Sequence, residues 1–293
     1  MTFAQKRLSV VAIATTLVLA LALGGLAGGF APEQAFADEP AADQAAAKTY
    51  TIRYKGVSGA KNTNPTQVEK GKLKLKKPSK TGYTFKGWYQ GKKKVTTVNV
   101  KKNTTLTAKW KAKTYKITYK NVKKATNKNA KKFTYGKNVK LKKLSKSGYT
   151  FMGWYSDKYF TSKKLSKVGG KTAKNVTVYA RWVKAPRTAR EKKLVHMANL
   201  AYDSLSDDQY TTENRMVNAL KSAGATSKEA KFVAKNCKAN YYAQAVKLVS
   251  YAKTSPYFAG YEGSALREYV RGVMLDDGFT KKQVDYAFKV TKF

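Results

Sequence analysis

Gly82-Tyr83-Thr84-Phe85-Lys86-Gly87-Trp88-Tyr89 returns as Gly148-Tyr149-Thr150-Phe151-Met152-Gly153-Trp154-Tyr155, seven of the eight residues being identical across an offset of 66. A run this rich in aromatics does not recur by chance, and an internal repeat takes precedence over every other reading of a fold. Upstream, Tyr50, Ile52 and Tyr54 alternate with polar residues, and Tyr115, Ile117 and Tyr119 repeat them at an offset of 65. Leu73-Lys74-Leu75-Lys76 matches Val139-Lys140-Leu141-Lys142, and Leu106-Thr107-Ala108-Lys109-Trp110 matches Val178-Tyr179-Ala180-Arg181-Trp182 at an offset of 72. Period-two alternation predicts half-buried strands. The jump in offset after the aromatic motif places a longer surface loop in the second copy, near residues 156–174.

The motif itself predicts a local geometry. Gly82 lets the chain turn into a strand, and Tyr83 and Phe85 then share one face. Gly87 reads as a bulge or a place of close backbone approach, turning Trp88 inward beside Phe85. Modules this small, without disulfides, need large side chains to hold a core. Tyr83, Phe85, Trp88 and Trp110, with Tyr149, Phe151, Trp154 and Trp182, are therefore expected as core rather than as a ligand platform.

The net charge is +42, and it is uneven. Residues 48–112 carry 18 Lys/Arg against Glu69 alone, and residues 113–184 carry 21 against Asp157 alone; residues 185–293 carry 18 against 11. A field of that size attracts polyanions and is costly through self-repulsion. With the leucines of the alternating stretches facing a core, Lys74, Lys76 and Lys77, and their counterparts Lys140, Lys142 and Lys143, are the expected polyanion contacts.

Lys6 and Arg7 precede an apolar run over residues 8–23, then Ala35-Phe36-Ala37, which reads as a signal peptide over 1–37 cleaved before Asp38. Residues 38–47 form an acidic, Ala-rich spacer. No later segment is apolar enough to span a membrane. Cys237 and His196 are the only residues of their kinds, so neither an intramolecular disulfide nor a multi-histidine metal site is available. Cys237 reads as a small buried hydrophobe and His196 as a packing or surface group. The chain is expected to be no enzyme and to need no cofactor.

From residue 185 the pattern turns helical. Leu194, Met197, Ala198, Ala201 and Leu205 form a stripe, and Met216, Val217, Ala219, Leu220 and Ala223 form a second that ends at Gly224. Thr226-Ser227-Lys228-Glu229 is a capping box. Val270, Val273 and Met274, Gly278 and Thr280-Lys281-Lys282-Gln283 repeat this 54 residues on, and Leu200 and Tyr202 pair with Val249 and Tyr251 at an offset of 49. The region reads as duplicated, with repeats at about 190–238 and 240–293. The fold class is α+β and multidomain: module 1 over 48–112, module 2 over 113–184, and a helical domain over 185–293.

The sequence Tyr-x-Ile-x-Tyr, then Gly-Tyr-Thr-Phe-x-Gly-Trp-Tyr, then Leu/Val-x-Ala-Lys/Arg-Trp resembles the Listeria–Bacteroides repeat, or internalin B-repeat, over 48–110 and 113–182. The resemblance implies β-grasp-like, ubiquitin-like modules that serve secreted and surface proteins as spacers or adhesive units. One departure is Gly56-Val57-Ser58-Gly59, and Asn121-Val122-Lys123-Lys124, where the family places Gly-Gly. The helical part resembles the host-cell-surface-exposed lipoprotein (Ltp-type) family through Gly224-x-Thr226-x-x-Glu229-Ala230-x-Phe232-Val233-Ala234, through Gln244-Ala245 with Tyr251, and through Gly278-Phe279-Thr280-x-x-Gln283-x-x-Tyr286-Ala287. That implies short three-helix, helix-turn-helix-like units and an envelope-anchored context, associated in some relatives with exclusion of superinfecting phage. The lipidation cysteine of that family is missing here.

These readings converge on a secreted, cell-envelope-associated binding or adhesion protein retained non-covalently by charge. Its expected partners are an anionic cell-wall polymer or host surface glycan, with a phage or host protein for the helical domain, and no small-molecule substrate. The alternative is non-specific nucleic-acid binding, since basic repeats interleaved with aromatics suit any polyanion. A third reading, a wall-active hydrolase, would rest on Asp207-Asp208 and Asp276-Asp277.

Overall fold

Alternation of Tyr50, Ile52 and Tyr54 with polar residues produces strand β1 (Thr49–Lys55), with Ile52 fully buried. It pairs antiparallel with β2 (Gln67–Glu69) and parallel with β7 (Thr104–Ala112), Ile52 lying opposite Thr104. The aromatic motif forms β4 (Tyr83–Gln90), antiparallel to β7 and to β5 (Lys93–Val95), so the sheet order is β2-β1-β7-β4-β5. A separate antiparallel ribbon of β3 (Gly71–Lys74) and β6 (Thr97–Val100) adds Leu73, Val98 and Val100 to the core of Ile52, Trp88, Leu106 and Ala108. This computed structural model describes residues 47–206 and 208–293. The expected signal segment, its cleavage residues Ala35, Ala37 and Asp38, the spacer up to residue 46, and Asp207 lie outside the described residues.

The second module repeats this with β8 (Thr114–Lys120), β9 (Lys132–Thr134), β10 (Asn138–Lys140), β11 (Tyr149–Tyr155), β12 (Lys167–Gly169) and β13 (Val176–Lys184). The sheet order is β11-β13-β8-β9, again with the first and last strands parallel, and β10 pairs with β12 as the ribbon. Ile117, Phe133, Leu144, Trp154, Val178 and Ala180 form the core. No counterpart of β5 is present: a single bridge from Trp154 to Leu165 holds that edge.

Each core tryptophan is fixed at both ends. The register of β4 on β7 shifts between Phe85 and Gly87, and that of β11 on β13 between Phe151 and Gly153. The bulge turns Trp88 and Trp154 inward, each 2% exposed, with their rings 5.5 Å from Phe85 and Phe151. Tyr54 and Tyr119 meet the same rings at 5.0 and 5.1 Å. A buried indole removes about 150–250 Å² from water, contributing roughly 4–6 kcal/mol before entropy. Its N–H must also find an acceptor. Trp88 Nε1 donates to the Lys76 carbonyl at 2.9 Å, while buried Asn64 accepts from Lys76 N at 2.6 Å and donates to the same carbonyl at 2.9 Å. Trp154, Lys142 and Asn129 repeat this arrangement at 2.9, 2.6 and 3.3 Å.

Two motif residues differ from the core expectation. Phe85, Trp110, Phe151 and Trp182 pack against the cores from the side, but Tyr83 and Tyr149 belong to neither. They pair with Ala112 and Lys184 at the far ends of the sheets, beyond the reach of the parallel first strands, and Tyr149 is 37% exposed. Tyr83 instead meets Tyr135 of module 2 edge-on at 5.3 Å. A Cβ at Gly82 would come within 2.3 Å of the Tyr135 ring, so only glycine admits this approach.

The C-terminal region is helical: α1 (Ala189–Asp203), α2 (Glu213–Ser222), α3 (Ser227–Asn236), α4 (Tyr241–Ala252), α5 (Gly263–Asp276) and α6 (Lys281–Thr291), with a 3-10 turn at Pro256–Phe258. Both capping boxes are present, Thr226 with Glu229 and Thr280 with Gln283. α1–α3 close around Leu194, Ala198, Met216, Leu220 and Val233, and α4–α6 around Val249, Val270, Met274, Val284 and Phe288. The first stripe is narrower than its spacing suggests. Met197 and Ala201 are exposed, and Leu205 lies past the helix end. Leu200 is 56% exposed whereas Val249 is buried, so the 49-residue pairing does not hold in space.

The long loop of module 2 joins the two regions. Asp157 accepts from the backbone N–H groups of Tyr159, Thr161 and Ser162 at 2.9, 3.1 and 2.8 Å. Partial burial raises its pKa, but these hydrogen bonds, led by Ser162, outweigh that and hold the carboxyl below its ordinary range. The loop so shaped lays Tyr159 against Tyr242 and Tyr286, each ring 4.4 Å away. Asn240 donates to the carbonyls of Tyr159 and Phe160, and Arg181 donates to those of Lys238 and Ala239.

Two outcomes follow from these contacts. Asn129→Ala leaves Lys142 N–H unpaired beside a buried indole and is expected to cost about 1–3 kcal/mol, read by denaturant unfolding followed through tryptophan fluorescence. Asp157→Asn is expected to lower thermal stability at neutral pH. Because the folded-state pKa is depressed, the charge contributes above the ordinary carboxylate range and is lost as pH falls through the folded pKa. The gap between wild type and variant should therefore close in acid, which paired melts at the two pH values would read.

Candidate polyanion-binding surface

The β-modules have almost nothing of their own to neutralise their lysines. Among the described residues every ion pair lies in the helical region, including Arg190–Glu229, Arg215–Asp277, Lys238–Asp203 and Arg271–Asp285. Asp157, the single carboxylate of module 2, is committed to its loop. The six expected contacts, Lys74, Lys76, Lys77, Lys140, Lys142 and Lys143, are all exposed. Lys76 and Lys142 have a second, structural role that the sequence does not show, since their backbones hold Asn64, Trp88, Asn129 and Trp154.

Other lysines are held by the fold. The stem of Lys94 covers Gly87 and that of Lys164 covers Gly153: a Cβ at either glycine would meet the lysine Cε at 2.5 or 2.4 Å. Lys77, Lys86 and Lys94 thus line one groove of about 330 Å³ over Trp88. Lys80 Nζ sits 4.9 Å from the Tyr83 ring centre and 5.9 Å from that of Trp110. Lys146 stands likewise over Tyr149 at 3.8 Å and Trp182 at 5.8 Å. An ammonium over an aromatic face is attracted by the ring quadrupole, by about 0.5–1 kcal/mol at exposed sites. These two lysines are therefore oriented by the rings beside them.

Both constellations sit beside a depression, of about 660 Å³ in module 1 and 450 Å³ in module 2. Their rims are charged by different residues: Lys61 and Lys113 in module 1, Lys123 and Lys124 in module 2. Gly59 has φ +66, and its counterpart Lys124 adopts φ +60; Gly56 and Asn121 form a second such pair at φ +75 and +61. A lysine in the left-handed region costs roughly 1–2 kcal/mol that glycine avoids. Module 2 sustains that strain and carries Lys123 and Lys124 on its rim, where Ser58 and Gly59 are the sequence counterparts in module 1 and only Gly59 lines the depression.

The residues considered for hydrolysis are placed differently. Asp208 is exposed and held below the ordinary carboxylate range by the Ser206 hydroxyl, which donates to it at 2.6 Å. Asp277 accepts from the Tyr210 hydroxyl and, at 2.5 Å, from Arg215, and its carbonyl accepts from Thr212, tying α2 to the end of α5. Asp276 is exposed. Cys237 is buried with its thiol pushed up by desolvation, and His196 is exposed. No group of three His, Cys, Asp or Glu able to hold a metal occurs among the described residues, and no described helix is long and apolar enough to cross a membrane.

Residues 50–109 and 115–181 match the Listeria-Bacteroides repeat domain. A protein of Evansella cellulosilytica described as a Gly-rich membrane protein is 30% identical over 114 residues, which cover 36% of this chain and 13% of that protein. The chain thus spans only a small part of that relative's length. No solved structure matches at a significant level.

The Tyr210–Asp277 contact gives a direct test. Burial first, then the Asp277 hydrogen bond and charge, push the Tyr210 hydroxyl up to about 12. In Asp277→Ala the tyrosinate should form at lower pH than in wild type, with burial still holding it above the ordinary value of 10.0. Ultraviolet titration of the variant against wild type measures the difference.

Proposed function

We propose that this chain is a secreted, cell-envelope-associated binding protein whose lysine-rich repeats hold anionic surface polymers and whose helical region presents an interaction surface. The observation that carries this reading is the segregation of charge. The two modules hold 39 Lys/Arg against Glu69 and Asp157, and every ion pair among the described residues lies elsewhere. Solubility does not require so one-sided a surface, and a polyanion would relieve its self-repulsion on binding. The matched repeat, the signal-like N-terminus and the likeness to a protein described as a membrane protein support an envelope location.

The strand order, with first and last strands parallel at the centre of a mixed sheet, supports reading each module as β-grasp-like. It departs from that pattern in one respect, since no helix lies between residues 47 and 184. The two capping boxes 54 residues apart, and the separate cores of α1–α3 and α4–α6, support duplicated three-helix units of the Ltp type. On this reading charge contributes to retention at the envelope.

Screening decides the test, because attraction between exposed charges fades over a Debye length of about 10 Å at 0.1 M salt. The purified full chain is expected to sediment with bacterial walls at low ionic strength and to be released by high salt. An absence of retention at low salt, or retention that salt leaves unchanged, would count against the proposal.

A further inference from the structure

Resting on the envelope-polymer reading, we infer that the paired depressions at Lys80–Tyr83–Trp110 and Lys146–Tyr149–Trp182 are two equivalent subsites for one linear, hydroxyl-rich phosphodiester polymer, in which phosphates alternate with polyol or sugar units. The same constellation is built twice beside turns that share a backbone conformation and differ in sequence. In each, one ammonium is fixed over a tyrosine and beside a tryptophan whose indole N–H is already engaged, by Gly56 in module 1 and by Asn121 in module 2. Further ammonium groups ring the hollow: Lys61 and Lys113 in module 1, Lys123 and Lys124 in module 2. The strained backbone at Lys124 adds charge at the place where the second subsite opens. Backbone strain that persists at a surface locus is a pointer to function.

The chemistry of the hollow selects its ligand. Lysine meets phosphate as a compact point charge, and three ammonium groups around one hollow suit a localised phosphate with a neutral spacer on either side. Tyr83 and Tyr149 line the hollows, and their hydroxyls donate to no other side chain or carbonyl among the described residues, which leaves them for a polyol hydroxyl. Nucleic acid fits less well. Single-strand binding needs open aromatic faces for base stacking, whereas Lys80 and Lys146 cap these rings and Tyr135 abuts Tyr83. Two subsites in one chain also favour a long polymer, since the second binding event becomes intramolecular.

Calorimetric titration of the purified full chain with poly(glycerol phosphate), hyaluronate and oligo(dT) tests the assignment. The chain is expected to bind poly(glycerol phosphate) most tightly, with a change in tryptophan fluorescence arising from Trp110 and Trp182. Lys80→Gln with Lys146→Gln should weaken it about tenfold, while Lys74→Gln with Lys140→Gln, an equal loss of charge, should weaken it only about twofold. Tyr83→Phe with Tyr149→Phe should weaken it about threefold, with thermal melts showing that each variant is folded. Equal weakening by the two lysine pairs would overturn the subsites and leave the envelope reading standing. Tighter binding of oligo(dT), or equal binding of hyaluronate, would overturn the ligand class. Failure of wild type to bind any of the three would overturn both proposals.

Discussion

The indole of Trp88 must be buried for module 1 to have a core, and a buried N–H without an acceptor would cost about 1–3 kcal/mol. The Lys76 carbonyl is that acceptor, and Asn64 holds the Lys76 backbone in place from both its N–H and its carbonyl. The arrangement links three segments far apart in sequence: the loop after β1, the chain beyond β3, and the bulge of β4. Without the bulge Trp88 would face solvent; without the asparagine its acceptor would be free to move. The same three parts appear around Trp154 with nearly the same distances.

A core this small must also withstand its own surface. The charge on 48–184 is almost all of one sign, and repulsion between lysines opposes compaction. Two features reduce the conflict. Lysine stems lie along apolar surface over Gly87 and Gly153 and carry their charges outward. Others are held against aromatic faces, as Lys109 is over Tyr89 at 4.0 Å. The aromatics serve both inside and out: one face of Trp110 meets Phe85 at 5.2 Å while Lys80 stands near its ring. Core and charged surface are therefore coupled through the same side chains.

Much of this was legible in the sequence, and the failures have physical causes. The strands, the bulge and the capping boxes follow from local rules that depend on few residues. Tyr83 and Tyr149 were misread because period-two alternation shows which face a residue takes, not where along the strand the core ends. Asn64 and Asn129 were missed because asparagine in a lysine-rich loop looks like solvated turn. Their signal was present in the paired Asn62-Thr63-Asn64 and Asn127-Lys128-Asn129, at the offset of the first strand. On α1, Met197 was placed inside by spacing alone, whereas Leu194 and Ala198 already fill the contact with α3. Cation–aromatic pairs such as Lys146–Tyr149 depend on side-chain placement that no periodicity encodes.

The six-residue change of offset had only the weight of a surface insertion in the sequence. In the structure it is what makes module 2 different in kind from module 1. With β5 absent, the edge of β11 is held by one bridge at Leu165, and the residues between are free to fold around Asp157. The result is a hook, with Phe160 in a left-handed conformation at φ +62, that sets Tyr159 against α4 and α6. A random insertion in so basic a module would be expected to add lysines and solvent exposure. This one includes the only carboxylate of the module and two aromatics, Tyr159 and Phe160, that both find partners. The insertion is therefore the joint between repeat and helices: Tyr159 packs on Tyr242 and Tyr286, and Asn240 donates to the Tyr159 and Phe160 carbonyls.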